Sequence, residues 1–93
     1  MVEYRNSTQI VADLLSFTQE SGQQGIRVTP LIVKSNLSYS RMTGFLKNLM
    51  GSELINKIEY DGKNVFVITE KGRIYLEEYK KFTSIASSFG LEL

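Results

Sequence analysis

The chain has 93 residues, of which 42% are hydrophobic and 11% aromatic, and a formal net charge of +1; this fits one small folded domain rather than a disordered segment. Cysteine and histidine are both absent, which excludes disulfides, thiolate nucleophiles and imidazole ligands or bases. The carboxylates show no paired spacing, and no glycine-rich phosphate loop occurs. The sequence therefore predicts no enzyme, no catalytic residue, no cofactor and no metal.

The hydropathy of the chain bears on its compartment. No run of about 18 apolar residues is present, as a membrane-spanning helix would need. The N-terminal segment Met1–Arg5 lacks the apolar core of a signal peptide. We therefore expect a cytoplasmic protein with no membrane partner.

The charges are unevenly distributed along the chain. Between Glu20 and Glu53 there is no acidic residue, and this window holds four cations: Arg27, Lys34, Arg41 and Lys47. A near-neutral protein with one basic segment can present a basic face to nucleic acid. The alternative is that these four cations are ordinary solvated surface residues.

The first predicted helix carries a start signal. Asn6-Ser7-Thr8-Gln9 fits a capping box, so a helix is expected to begin at Asn6 or Ser7 and to end by Gly22. Five residues share one face at helical spacing and are predicted to lie in the core: Ile10, Val11, Leu14, Phe17 and Thr18.

A second, shorter helix follows a loop. Gln23–Gly25 is predicted as the loop and Ile26–Val28 as a short strand. Thr29 followed by Pro30 is typical of an N-cap and the first helical position, so the helix is expected over Pro30–Asn36.

The third helix is the centre of the functional prediction. Asn36-Leu37-Ser38 predicts a tight turn, with Ser38 capping a helix over Tyr39–Ser52. One side of that helix is apolar, and the other carries small polar residues and cations. Gly44 lies in the middle of the polar side, where it costs about 1 kcal/mol of helix propensity relative to alanine. Either another backbone approaches closely there, such as a sugar-phosphate strand, or a neighbour inside the protein packs against it.

A β-hairpin is predicted next. Leu54–Tyr60 and Asn64–Thr69 have the pattern of strands, joined by Asp61–Lys63, because Asp-Gly between apolar runs is a strong hairpin signal. Apolar residues of the two strands are predicted to meet on one face: Leu54, Ile58 and Tyr60 with Phe66 and Ile68.

The last helix is predicted to begin at Glu70 after an N-cap at Thr69. Its apolar residues recur at alternating spacings of four and three, which is a heptad pattern, and they favour pairing with the same helix of a second subunit. The alternative is that this helix folds back onto its own domain. We expect residues 1–72 to form the domain and residues 73–93 to form a dimerisation element. The expected dimer contacts are Tyr75, Tyr79, Phe82, Ile85, Ala86 and Phe89.

The order helix, turn, helix, hairpin, helix predicts an α+β winged helix-turn-helix. Within these elements one set of residues is distinctive: Asn36–Tyr39, Leu46, Leu49, Leu54-Ile55, Ile68–Gly72 and Leu76. On these residues the chain resembles the small archaeal winged-helix DNA-binding proteins, over about Tyr4 to Phe82.

The resemblance implies binding of double-stranded DNA through the third helix and the hairpin, and dimerisation through a C-terminal antiparallel coiled coil. Related domains serve as archaeal transcriptional regulators. The C-terminal helix of that family is longer than the one here, so we expect a more compact homodimer. The near-neutral charge fits a site-selective regulator better than a protein that coats DNA.

The third helix supplies the main candidate DNA contacts. Arg41 is the candidate for guanine, because its fork of donors matches O6 and N7, and Asn48 is the candidate for adenine. Ser40, Thr43 and Lys47 are expected to hold phosphates.

Other candidates flank the third helix. Lys63 and Asn64, at the hairpin tip, are expected to follow the DNA backbone or the minor groove. The outer candidates are Arg27, Lys34 and Tyr39. The rival hypothesis is a winged-helix protein–protein interaction module, in which the aromatic last helix carries the function and Arg41 and Lys47 are ordinary surface charges.

Overall fold

The structure is a computed structural model that describes residues 6–91; Met1–Arg5, the segment predicted to lack a signal peptide, lies outside the described residues, as do residues 92–93. The described part contains four α-helices and one two-stranded antiparallel sheet, which confirms the predicted α+β class. The elements are α1 (Ser7–Glu20), α2 (Val28–Ser35), α3 (Tyr39–Gly51), β1 (Ile55–Tyr60), β2 (Lys63–Ile68) and α4 (Glu70–Ser88).

The start of α1 is fixed by the predicted capping box. The Asn6 side chain accepts a hydrogen bond from the Gln9 amide at 2.8 Å, and the Gln9 side chain accepts one from the Asn6 amide at 2.9 Å. The inward face then buries Ile10, Leu14 and Thr18. Both backbone donors at the helix start are thereby satisfied by residues only three apart, which is why the sequence alone predicts this boundary.

The segment before α2 differs from the prediction. Gly22–Gln24 forms a short 3₁₀ turn, and the predicted strand Ile26–Val28 is reduced to a single bridge at Ile26. The helix begins at Val28, with Arg27 as an extended N-cap, so Thr29 is not the cap. Pro30 is compatible with this earlier start because backbone N–H groups throughout the first helical turn lack helical partners.

The turn between α2 and α3 has the predicted form. Asn36 adopts the left-handed conformation (φ 58°), Leu37 is buried, and the Ser38 hydroxyl accepts a hydrogen bond from the Arg41 amide at 3.2 Å. Asparagine tolerates this backbone conformation better than most residues. The connection between α2 and α3 is therefore only three residues long.

The turn of the hairpin is one residue shorter than predicted. It consists of Asp61-Gly62, both with positive φ, as a type I′ turn requires. Lys63 opens β2 and lies opposite Tyr60 instead of lying in the turn.

This shorter turn changes which side chains share a face. Phe66 lies opposite Lys57. The prediction that Phe66 and Ile68 meet Ile58 and Tyr60 is therefore wrong, because a one-residue shift of register moves every side chain of a strand to the other face. Phe66 and Ile68 face the core, whereas Ile58 and Tyr60 remain partly exposed.

The second edge of β2 is occupied by Ile26. The amide and carbonyl of Ile26 exchange hydrogen bonds with those of Phe66, at 3.0 and 2.8 Å. The order across the sheet is thus Ile26, β2, β1. In residues 6–91, β1 pairs with β2 alone, so its outer edge is open.

The backbone of Leu54 joins three elements. Its amide donates to the Leu49 carbonyl at the end of α3 (2.9 Å), and its carbonyl accepts from the Thr69 amide (3.1 Å). The hydrogen of the Thr69 hydroxyl is shared between this carbonyl (3.0 Å) and the Glu53 carbonyl (2.7 Å). The same Thr69 hydroxyl accepts from the Gly72 amide and so caps α4, as predicted. Gly72 packs directly on the Leu54 carbonyl, leaving no room for a Cβ.

The core lies between the helices and one face of the sheet. Its centre contains Leu15, Leu31, Met42 and Ile55, and α4 contributes Leu76 while packing along α1. At its far end α4 closes in a Schellman motif, in which the amide of Leu91 donates to the carbonyl of Ala86.

Replacing Gly72 tests the junction at Leu54. We expect Gly72→Ala to lower the free energy of unfolding by about 1–3 kcal/mol, the usual cost of overpacking, because the new methyl group meets the Leu54 carbonyl oxygen. Gly51→Ala is the matched control: its Cβ enters open space, so we expect a gain of up to about 1 kcal/mol. Urea unfolding at one protein concentration measures both, and equal effects would contradict the junction.

Candidate nucleic-acid interface

The outward face of α3 carries small polar residues and two basic side chains. Its core-facing side buries Met42, Leu46 and Leu49, which leaves the other side of the helix to solvent. No acidic residue occurs anywhere in α3. Five exposed residues of this outward face are predicted DNA contacts: Ser40, Arg41, Gly44, Lys47 and Asn48.

Gly44 has open space beside it. A Cβ built on Gly44 meets no atom within 4 Å, which excludes the alternative that a neighbour inside the described protein packs against it. Gly51, two turns later, is equally open. The outward face of α3 therefore has two points where its backbone is uncovered and where no internal contact requires glycine.

Two local contacts orient polar groups on α3. The Arg41 guanidinium lies 5.8 Å from the centre of the Phe45 ring, one turn further along the helix. Thr43 donates its hydroxyl hydrogen to the Ser40 carbonyl at 2.9 Å. Arg41 is thus held against its own helix on an aromatic face while its donors stay accessible to solvent.

A cleft of about 330 Å³ separates α3 from the hairpin. It brings together the predicted residues Tyr39, Thr43 and Asn64, and it adds Lys57 of β1. Its remaining lining is apolar: Val28, Leu46, Met50 and Phe66. Helix and hairpin therefore form two walls of one groove that has polar and basic groups on its rim.

Lys57 is the residue that sequence reasoning missed. The signal that could have found it is the Asp61-Gly62 turn, because a two-residue loop places Lys57 opposite Phe66 and on the same face as Asn64. The three-residue turn of the prediction assigned the strands to the wrong faces and so gave Lys57 no position in the groove.

The tip of the hairpin carries mixed charge. Arg27 and Lys63 line a second, shallower depression of about 270 Å³, together with Tyr60 and Asp61. These two predicted cations are therefore brought together, but beside a carboxylate. Lys34 lines neither cleft: its ammonium lies 5.8 Å from the centre of the Phe17 ring on α1.

The predicted dimer residues of α4 divide into two groups. Ala86 is buried at 5% exposure and Tyr79 packs against the core of its own domain. Phe82 and Phe89 are 58% and 77% exposed. The exposed apolar strip of α4, as the structure defines it, consists of Ile74, Tyr75, Phe82, Ile85 and Phe89.

Within residues 6–91, no helix is both long enough and apolar enough to cross a bilayer. In the same residues, acidic side chains do not gather in groups of three or more that could hold a metal ion.

Three solved structures share this fold. Sso10a-2, a DNA-binding protein from the archaeon Sulfolobus solfataricus, is 20% identical, with a TM-score of 0.74 over 91% of this chain and 85% of that one. A mutant of MepR from a multidrug-resistant S. aureus clinical isolate is 14% identical, with a TM-score of 0.73 over 87% and 61% of the two chains. F-93 of SSV1 is 15% identical, with a TM-score of 0.66 over 96% and 99%.

The family comparison covers most of the sequence. No curated protein matches the chain. The family model described as winged helix-turn-helix matches residues 4–87, which include α1 to α3, the hairpin and nearly all of α4. The predicted fold and the predicted resemblance to archaeal winged-helix DNA-binding proteins are confirmed, and the chain belongs to the winged helix-turn-helix family.

Proposed function

We propose that this protein binds double-stranded DNA as a homodimer, selects its sites by sequence and acts as a transcriptional regulator in the cytoplasm. The observation that carries the proposal is the outward face of α3, which has no acidic side chain and is open to solvent at Gly44. A helix of this kind fits the major groove, where bulky side chains would hold the two backbones apart.

The residues of α3 divide between reading bases and holding the backbone. Arg41 offers two parallel donors for guanine, and Asn48 can pair with adenine where α3 lies deep in the DNA major groove. Ser40 and Lys47 would contact phosphates on either side. The phosphates set register, so base selectivity depends mainly on Arg41.

The groove between α3 and the hairpin extends this surface. Lys57 and Asn64 stand opposite Tyr39 and Thr43 across the cleft. A DNA backbone that runs along the groove would meet a cation, an amide and two hydroxyls from two different walls. Such contacts position the helix rather than specify the sequence.

Dimerisation through α4 completes the proposal. The exposed apolar strip lies on a helix that already packs on α1 with its other side. A second copy of the same strip would cover it in an isologous interface, and two α3 helices would then meet two half-sites.

The first experiment measures DNA affinity by fluorescence anisotropy across a salt series. We expect a steep salt dependence in the wild type. In Arg41→Ala/Lys47→Ala the slope should become shallower by about one unit for each phosphate that the protein no longer neutralises. On a specific site Arg41→Ala alone should cost about 1–3 kcal/mol and relax the base preference at one position.

The matched control is Lys80→Ala/Lys81→Ala, which removes the same charge from α4. It should leave the slope nearly unchanged. Absence of binding at low salt would contradict the proposal and favour the protein–protein interaction module.

Gly44 separates a stability effect from a binding effect. We expect Gly44→Ala to raise the free energy of unfolding by up to about 1 kcal/mol, because alanine favours helix and nothing lies within 4 Å of its Cβ. The same variant should bind DNA more weakly, because the added methyl group keeps α3 away from the floor of the DNA major groove. Gly51→Ala lies on the same face but at the C-terminal end of α3, beyond the N-terminal part of a recognition helix that contacts base edges, so it should raise stability without the loss in affinity. Unchanged affinity in Gly44→Ala would remove this position from the interface.

Phe82 tests the dimer contact. Phe82→Glu should convert the dimer to a monomer, because burying the strip would bury an unpaired charge. Ser84→Glu adds the same charge at an exposed position on another side of α4 and should remain dimeric. Light scattering measures both masses, and a dimeric Phe82→Glu would show that the exposed strip is not the contact.

A further inference from the structure

The outer edge of β1 is an open row of backbone groups. Five of its six residues are exposed, and in the described part of the chain β2 is its only partner. Open edges of this kind are sites where a further strand can add.

The hydrogen bonds of the sheet show which residues of β1 direct their backbone groups away from β2. The Thr69 amide donates to the Leu54 carbonyl, so residues of β1 that share the parity of Leu54 bond inward to β2. Phe66, opposite Lys57, directs its own amide and carbonyl away from β1, toward Ile26. The outward groups are therefore those of Ile55, Lys57 and Glu59; because Ile55 is buried, the accessible ones are those of Lys57 and Glu59.

These two residues make the edge complementary to itself. In an antiparallel pair of two β1 strands centred on Ile58, Lys57 of each copy lies opposite Glu59 of the other. Each such pair exchanges both backbone N–H···O bonds, and the opposite charges lie on one face. On the other face Ile58 meets Ile58 of the second copy, which covers a side chain that is now 37% exposed.

Neighbouring registers lack this match. The hydrogen-bonding parity allows shifts that centre the pair on Lys57 or on Glu59. Those shifts place two lysines or two glutamates directly opposite each other, which destabilises the pair. Charged side chains commonly protect an edge from foreign strands. Here they disfavour other registers and favour one partner, a second copy of the same strand.

We propose that the β1 edges of two copies pair antiparallel, centred on Ile58, and form a four-stranded sheet across the two hairpins. The contact is isologous and distinct from the exposed strip of α4, and it does not depend on DNA binding. Six-residue edges bury much less than a standard interface of about 1,600 Å², so the association is weak and becomes populated at high local concentration.

Amide hydrogen exchange by NMR tests this pairing in the full chain without DNA. From micromolar to millimolar protein, the amides of Lys57 and Glu59 should become protected as concentration rises. The amides of Ile58 and Tyr60, which bond to β2, should be protected at every concentration. Lys57 and Glu59 amides that exchange freely at the highest concentration would overturn the proposal.

A charge swap supplies the second measurement, by sedimentation equilibrium in the Phe82→Glu background as well as in the wild type. Lys57→Glu alone and Glu59→Lys alone should each weaken the association of two copies through β1 by about tenfold, since both cross-strand pairs become repulsive. The double variant Lys57→Glu/Glu59→Lys restores opposite charges and should restore this association.

The control for the swap is Lys63→Glu, which makes the same charge change on β2 and should leave association unchanged. A double variant that stays as weak as the single ones would overturn the pairing. Because every species is measured without DNA, failure here and failure of DNA binding are separate results.

Discussion

The backbone of Leu54 is the point on which the arrangement of the wing and the last helix depends. Its amide closes the end of α3, its carbonyl accepts from the Thr69 amide, and the Thr69 hydroxyl is shared between this carbonyl and that of Glu53. Gly72 lets the first turn of α4 pack on the Leu54 carbonyl. Three elements thus meet at one residue. This junction links the end of α3, the end of β2 and the start of α4, the elements beside the groove.

The third helix shows how the core leaves a surface free for recognition. Gly44 weakens the intrinsic helix propensity of α3 by about 1 kcal/mol at an interior position, and Gly51 is the last residue of the helix. Burial of Met42, Leu46 and Leu49 holds the helix in place from its other side. Since most helix stability in proteins comes from packing of one face, the opposite face can keep small residues without losing the helix.

The last helix has two apolar surfaces with different roles. Leu76 and Ala86 belong to the domain that carries them, whereas Phe82 and Phe89 face outward. The heptad pattern in the sequence combines members of both surfaces, because spacings of four and three describe any apolar stripe on a helix. Which stripe faces its own domain depends on how α4 leaves the junction at Leu54, and residue spacing holds no information on that.

The sequence by itself determined the elements whose boundaries rest on contacts between residues a few positions apart. The capping box at Asn6, the left-handed turn at Asn36 and the Asp61-Gly62 hairpin are local hydrogen-bonding or backbone preferences, so they could be predicted. Together with the helical spacing of apolar residues they sufficed for the fold class, and that spacing placed the predicted cations of α3 on its exposed side. Only the tertiary structure decided that Ile26 bonds to β2 as a single bridge and that the face of the sheet carrying Lys57 is the one turned toward α3, because these arrangements depend on packing between segments distant in sequence.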